Sequence, residues 1–120
     1  MKASVTALLI LVTVPLFAHP PKNVTLEYDY DTKILGVVIQ HSVNNISKHY
    51  VNKVVVELNG KKQIEQTFNR QMDGEKHEVL YKIVDADEGD KLTVIGYCNI
   101  SGRKKSELIV SAEQPEEKTE

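Results

Sequence analysis

The sequence predicts an all-β protein, an antiparallel sandwich of about seven strands. Short segments that alternate apolar and polar residues, or that are continuously apolar, follow one another along residues 19–110. Polar segments rich in Asn, Asp, Gly and Lys separate them, and this part of the chain lacks the apolar period of a helix. The pattern is typical of immunoglobulin-like sandwiches, although the Cys…Trp…Cys signature of true immunoglobulin domains is absent from this tryptophan-free chain.

The first half of the domain contains three predicted strands and a strong hairpin signal. Val24–Tyr30 alternates apolar and polar side chains, as a half-buried strand does. Ile34–His41 is more continuously apolar, which suits an interior strand, and the polar segment Ser42–Lys48 reads as a loop. A valine-rich strand is expected over Tyr50–Leu58. Asn59-Gly60 then predicts a tight hairpin, because both residues tolerate positive φ.

The second half of the domain is expected to hold four further strands. They are predicted at Gln63–Phe68, His77–Val84, Leu92–Cys98 and Glu107–Val110. The acidic segment Asp85–Asp90 is predicted to be a loop, and Asn99–Arg103 a turn. His77 follows Glu75-Lys76 and precedes Glu78, so its side chain is expected to be solvated.

The two ends of the chain differ from this domain. A positively charged start, the apolar run Ala3–Val14 and a small residue at Ala18 predict a signal peptide over residues 1–18. The alternative is an uncleaved membrane anchor. With cleavage after Ala18, His19 becomes the first residue, and the protein is expected to be exported, either periplasmic or extracellular. The polar, acidic tail 111–120 is expected to be disordered.

Composition limits the class of partner. The chain has 15 Lys and Arg against 17 Asp and Glu, a net charge of −2, with no basic excess. Nucleic acid is therefore not expected as the main partner. Without the signal, roughly a hundred residues remain, which is one domain by the usual size range. The oligomeric state stays open, a homo-oligomer included.

Cys98 is the single cysteine of the chain. In an exported protein an unpaired cysteine is a free thiol, an intermolecular bridge or a metal ligand. His41 and Cys98 end predicted strands, and His49 begins one. Strand ends gather at the two ends of a sandwich, so these side chains are candidates for one site. Thiolate with imidazole suits iron, copper or zinc. The alternative is a buried free cysteine with ordinary surface histidines.

Three segments together carry a resemblance to a known family. His19-Pro20-Pro21 fits an H-x-P segment, and His41 and His49 resemble a paired-histidine stretch. Cys98-Asn99-Ile100-Ser101-Gly102 resembles a C-N-x-H-G loop. In this order and at similar spacing, the segments resemble the superoxide reductases, the desulfoferrodoxin and neelaredoxin iron proteins.

The resemblance implies an immunoglobulin-like sandwich that holds one mononuclear non-haem iron. Four histidines would lie in a plane around the iron and a cysteine thiolate would be axial, donating electron density as axial thiolates do in haem enzymes. By position, His19, His41 and His49 would be metal ligands, and Cys98 would be the axial ligand and catalytic residue. Superoxide would be the substrate, reduced by one electron to hydrogen peroxide, and the electron donor is not identifiable from the sequence.

The chain also departs from the family pattern. Ser101 stands where the fourth histidine should be, and a serine hydroxyl is a poor ligand for ferrous iron. The family's lysine beside the first histidine has no counterpart, since Ala18 precedes His19. Arg103–Lys105 or Lys48 could supply positive potential instead, or form solvated turns. The ligand set is incomplete, so enzymatic activity is left open.

Two alternatives follow from the same residues. In the first, copper is bound by the imidazole and the free α-amine of His19, because an amine with a pKa near about 7.7–8.0 gives up its proton to a metal at modest cost. In the second, the chain is a metal-free binding or scaffold domain that keeps the sandwich without the chemistry.

Overall fold

The computed structural model describes residue 10 and residues 19–113. Within residues 19–113 every regular element is a β-strand, as predicted. The strands are β1 (Asn23–Asp29), β2 (Ile34–Gln40), β3 (Val51–Leu58), β4 (Lys61–Thr67), β5 (Lys76–Lys82), β6 (Lys91–Cys98) and β7 (Arg103–Ile109). None of the described residues belongs to a helix long and apolar enough to span a membrane. The predicted signal peptide, apart from residue 10, and residues 114–120 of the predicted tail lie outside the described residues.

The strands form two antiparallel sheets. One has the order β1-β2-β5 and the other β4-β3-β6-β7, and β1 contacts β6 and β7 between the sheets. The expected interior strand is β2, which lies at the centre of the first sheet. The arrangement is the predicted sandwich, with the apolar side chains of both sheets facing one core.

The core is almost entirely aliphatic: the chain has no tryptophan, and its tyrosines and phenylalanines in the core cluster are only partly buried. Its fully buried members come mainly from the central strands, which show the period of two expected of strands with one inward face. These residues are Leu35, Val37, Ile39, Val51, Val54, Val56, Leu92, Val94 and Val110. Tyrosines such as Tyr28 and Tyr81 are partly buried at the edges of this cluster.

The predicted turns are partly confirmed. Asn59 and Gly60 have φ values of 51° and 83°, and Leu58 pairs with Lys61 across the two-residue turn, as the hairpin signal required. The prediction for the last strand is wrong at its start, because β7 begins at Arg103 and not at Glu107. β7 is an edge strand whose charged side chains reach solvent, so a basic run is compatible with pairing to β6.

The expectation of a solvated His77 is also wrong. The residue is only 6% exposed and shares an inward face of β5 with Val79 and Tyr81. Its ring packs edge-to-face on Phe68 with 4.3 Å between centroids, and its Nδ1 accepts the Met72 N–H at 3.0 Å. Burial lowers the pKa of His77, and the nearby Asp73 carboxylate opposes that shift.

A β-bulge sets which residues of β3 face inward at one end of the sandwich. The register of β3 against β6 shifts between Val51 and Lys53, so Asn52 is an extra residue. Because of this extra residue, the inward-facing side chains of β3 are those of Val56, Val54 and Val51, and Asn52 is skipped. His49 lies two residues before Val51, in a turn closed by its own N–H, which donates to the Asn45 carbonyl at 2.9 Å.

Candidate metal centre

His41 extends the inward-facing series of β2 by one step. Leu35, Val37 and Ile39 point into the core at every second residue, and His41 is the next in that series. The side chain is 0% exposed. Its Nδ1 lies 2.8 Å from Gln71 Oε1, and its Nε2 lies 3.1 Å from the His19 carbonyl oxygen.

His49 brings an unpartnered nitrogen to the same place. Its Nε2 is buried and has no hydrogen-bond partner. Burial lowers the pKa of His49, and the neighbouring His41 and His19 lower it further, although a backbone hydrogen bond with His19 opposes the shift. The ring is therefore held in the neutral form, whose free lone pair can bind a metal.

His19 closes the cluster from the segment that precedes β1. Lys22 N–H donates to the Gln40 carbonyl at 2.7 Å, which ties this segment to the end of β2. The His19 Nδ1 lies 3.1 Å from the Pro20 carbonyl oxygen. Since a carbonyl only accepts, Nδ1 is the donor there, and Nε2 is left with the lone pair in the neutral ring.

The three rings stand edge-to-face around one point. Their centroids are 5.1 Å apart for His19 and His41, 5.1 Å for His19 and His49, and 4.7 Å for His41 and His49. One ligand nitrogen from each ring lies within 4.8 Å of the others. Two nitrogens bound to one metal at about 2.1 Å are at most about 4.2 Å apart, so small shifts would close the group around an ion.

Cys98 lies beside this cluster without belonging to it. It is inward-facing at the end of β6, 8% exposed, unpaired with another cysteine, and opposite Val51 in the register with β3. The group of mutually close ligand atoms contains the three histidines and not the Cys98 sulfur. Among the four predicted ligands, the structure therefore assembles three and places the fourth in the adjacent strand end.

Asn99 fastens the loop after Cys98 to the residues on both sides of His49. Its Oδ1 accepts the Tyr50 N–H at 2.8 Å, and its Nδ2 donates to the Lys48 carbonyl at 2.9 Å. Its own N–H donates to the Tyr50 carbonyl at 3.0 Å. The Cys98 loop and the His49 segment are thus held as one unit.

Gly102 fastens the same loop to the segment of His19. Its φ is 80°, and a Cβ at this position would lie only 2.8 Å from the Pro20 Cβ. The loop also closes on itself, because the Cys98 N–H donates to the Gly102 carbonyl at 3.0 Å. A larger residue here would push Pro20 away, and His19 with it.

Two further predicted positions lie outside the cluster. Ser101, where the resemblance places a fourth histidine, is an exposed turn residue. Of the basic residues, Lys48 is exposed and precedes His49, whereas Arg103–Lys105 form the start of β7. Arg103 pairs with Tyr97, next to Cys98, so it is the member of that group closest along the strand to the site.

Gln71 is the site residue that the sequence did not reveal. It is 1% exposed and hydrogen-bonds with His41, Val51 and Asp73. Its surroundings, Asn69 to Gly74, are polar and resemble an ordinary turn. No local signal in the sequence distinguishes a turn residue that is folded into the core from one that is solvated.

Comparison with known proteins gives a fold and no closer relationship. No family model matches the chain, and no curated protein matches it. A superoxide reductase from Nanoarchaeum equitans is 20% identical, over 77% of this chain and 94% of that one, with a TM-score of 0.48. A superoxide reductase solved in the oxidized state is 16% identical, over 78% of this chain and 90% of that one, with a TM-score of 0.51.

The chain has the fold of a superoxide reductase. At 16% identity the likeness concerns the backbone alone, and the chemistry depends on the residues present here. On a superoxide reductase fold this chain carries three imidazoles with mutually close ligand atoms, one of them with a buried free nitrogen. Such a group can bind a first-row transition metal.

Proposed function

We propose that this chain is an exported metal-binding protein that holds a mononuclear non-haem iron and reduces superoxide to hydrogen peroxide. His19, His41 and His49 would hold the metal, with Cys98 as a further thiolate ligand and catalytic residue. The observation that carries the proposal is the three-histidine cluster at one end of a superoxide reductase fold.

The residues present fit a transition metal. The buried Nε2 of His49 lacks a partner, which costs stability unless something binds it. Imidazole nitrogens with a nearby thiol form a donor set that suits iron, copper or zinc and does not suit calcium or magnesium. Coordination by Cys98 requires its loop and the rings to approach each other, because the sulfur is not in the close group.

Bound iron would supply the one-electron chemistry that the aliphatic sandwich itself lacks. Superoxide takes up one electron and two protons to become hydrogen peroxide, and the electron would come from an external donor. The histidines and Cys98 would bind and orient the metal, and nearby basic residues would attract the superoxide anion. Lys48, exposed and next to His49, would raise the positive potential that draws the anion to the site.

The direct test is the metal content and visible spectrum of untagged protein that lacks residues 1–18. Iron with a thiolate charge-transfer band, and superoxide-dependent oxidation of the reduced protein, are the expected results. In Cys98→Ser the band should vanish while the β-sheet circular dichroism persists, because serine does not replace a thiolate. Full iron with an unchanged spectrum in Cys98→Ser would show that Cys98 is not a ligand.

Copper binding by the His19 amine is the second candidate. The observation in its favour is that the His19 main chain reaches the cluster, its carbonyl oxygen lying 3.1 Å from His41 Nε2. If cleavage follows Ala18, the amine would be within chelating reach and would compensate for the missing fourth histidine. Adding one Gly before His19 displaces the amine and keeps every side chain. Unchanged affinity and spectrum in that variant would exclude the amine, and protein without metal would support a scaffold.

A further inference from the structure

We propose that Gln71 is the positioning residue of this centre. It holds His41 as the tautomer protonated at Nδ1, so that Nε2 is the nitrogen presented to a metal. The tautomer follows from the shorter of the two hydrogen-bond contacts of the ring, and its consequence for metal binding rests on the proposed function.

The orientation of the Gln71 amide is determined by its neighbours. Its Nε2 lies 2.7 Å from the His41 carbonyl oxygen and 2.9 Å from the Asp73 carbonyl oxygen, and both of those atoms only accept. Its Oε1 lies 3.2 Å from the Val51 N–H, which only donates. A flipped amide would set an oxygen against two carbonyls and an NH₂ against an N–H, so the flip is excluded.

The proton on His41 follows from that orientation. Gln71 Oε1 lies 2.8 Å from His41 Nδ1, and an amide oxygen only accepts, so Nδ1 is the donor. A neutral imidazole has a single N–H, and Nε2 is therefore left with the lone pair. The His19 carbonyl oxygen, 3.1 Å from Nε2, also only accepts, and a single ring proton cannot serve both oxygens. We assign the proton to the shorter contact, because Gln71 Oε1 is also held in place by the Val51 N–H.

Gln71 also fixes where the ring stands. It bonds to the main chain of His41 at the end of β2 and of Val51 at the start of β3, so it links the two sheets beside the cluster. Its own N–H donates to the Ile46 carbonyl at 3.0 Å, which includes the loop between His41 and His49 in the same network. Buried partners of this kind set the tautomer and direction of a histidine ligand.

The test compares Gln71→Met, which keeps the length of the side chain and removes the amide, with the unaltered protein. In metal-free protein at mildly alkaline pH, ¹⁵N shifts of the His41 ring should report Nδ1–H in the unaltered chain and a loss of that single tautomer in Gln71→Met. Affinity for Co²⁺ alone, measured by competition with a chelator, should fall about 10–100-fold in Gln71→Met.

Leu35→Ala is the matched control, since Leu35 is a fully buried core residue near the start of β2, at the opposite end of that strand from His41. It should lower the unfolding midpoint without moving the ¹⁵N shifts or the Co²⁺ affinity. Should Gln71→Met fail to fold, Gln71→Asn has an amide too short for the same partners and takes its place.

The outcomes separate the inference from the proposed function. His41 protonated at Nε2 in the unaltered protein, or equal Co²⁺ affinity with and without the Gln71 amide, would overturn the role of Gln71. Absence of Co²⁺ binding to the unaltered protein would overturn the metal site, and the ¹⁵N shifts would still decide whether Gln71 sets the tautomer.

Discussion

The two ends of the sandwich satisfy their polar groups in different ways. At the hairpin end (Asn59-Gly60 and Asp87–Lys91), Asn59 Nδ2 donates to Asp90 Oδ1 at 3.0 Å and its Oδ1 accepts the Lys91 N–H at 2.9 Å. Asp90 also accepts the Asp87 N–H at 2.8 Å. At the histidine end (His19, His41, His49 and Cys98), buried polar side chains meet, and the His49 Nε2 has no partner.

The contrast distinguishes polar groups that stabilise the fold from polar groups that are placed to bind a ligand. At the hairpin end the strands are closed by exposed polar groups, and the side chains of Asn59 and Asp90 form hydrogen bonds that stabilise the fold. A buried nitrogen without a partner costs about 1–3 kcal/mol, so the histidine end gives up stability that the hairpin end retains. At His49 a bound metal would supply that partner, whereas Asn52 Oδ1 and His77 Nε2, which also lack partners among the described residues, lie outside the group of close ligand atoms.

His49→Leu should have the largest effect, and it should act in opposite directions on stability and binding. Metal-free protein should gain up to about 1 kcal/mol in its free energy of unfolding, because removing the buried free nitrogen outweighs losing the hydrogen bond of His49 with the His19 main chain. Co²⁺ affinity should fall by more than about 100-fold, since losing even the partner of a ligand costs about 10–100-fold. Urea unfolding and chelator competition measure the two quantities. A less stable variant with normal affinity would contradict both the cost and the site.

Gly102→Ala should disturb both fold and site. The new Cβ would meet Pro20 at 2.8 Å, and alanine at a φ of 80° is strained, so a loss of about 1–3 kcal/mol is expected. Metal affinity should weaken as well, because a displaced Pro20 would move His19, the residue before it. Gly89→Ala is the control at the hairpin end: its φ is 90° and nothing lies within 4 Å of its Cβ position. If the two variants lose metal affinity equally, the contact with Pro20 does not position His19.

Asn59→Ala should affect the fold alone. It removes two side-chain hydrogen bonds and places alanine at a φ of 51°, which together should cost about 1–2 kcal/mol. Co²⁺ affinity should not change. Gln63→Ala, an exposed change on the neighbouring β4, serves as control and should leave the unfolding midpoint where it is. A drop in affinity in Asn59→Ala would show that the two ends are coupled.

His77→Gln should give the smallest effect, visible in acid. Because burial lowers the pKa of His77, the unfolded chain, with its ordinary value of 6.5, binds more protons than the folded one below that pH. The free energy of unfolding should therefore fall as the pH drops below 6.5 in metal-free protein, and fall less steeply in His77→Gln. Urea unfolding at a series of pH values measures the two slopes, and equal slopes would refute the contribution of His77. His49, whose pKa is also lowered, adds to the slope of both proteins and cancels in the comparison.

The fold was predictable because its signals are local. Alternating apolar residues and the Asn59-Gly60 turn identify strands without knowledge of their partners. The error at β7 arose because pairing with β6 keeps Arg103–Lys105 in a strand, a tertiary effect that charge and composition hide. The charged neighbours of His77 predict a solvated side chain, although its period of two with Val79 and Tyr81 indicates the inward face of β5.

The site was predictable only in part. Strand ends indicated where His41, His49 and Cys98 belong, since antiparallel strands meet at shared ends. The bulge at Asn52 has no signature in a valine-rich run, and the distance between the Cys98 sulfur and the rings depends on loop packing. Gln71 was not predictable, because its role depends on partners 20 and 30 residues away along the chain.

The hydrogen bonds of Asn99 to Tyr50 and Lys48 also bear on how the protein can be produced. Asn99-Ile100-Ser101 matches the N-x-S/T acceptor for asparagine-linked sugar, and the sugar is attached to the same Nδ2 that donates to the Lys48 carbonyl. A glycan added before folding would occupy that space and keep the Cys98 loop from closing on the His49 segment. A host that lacks asparagine-linked glycosylation is therefore the appropriate source for every measurement of metal binding, and Ser101→Ala removes the acceptor where another host must be used.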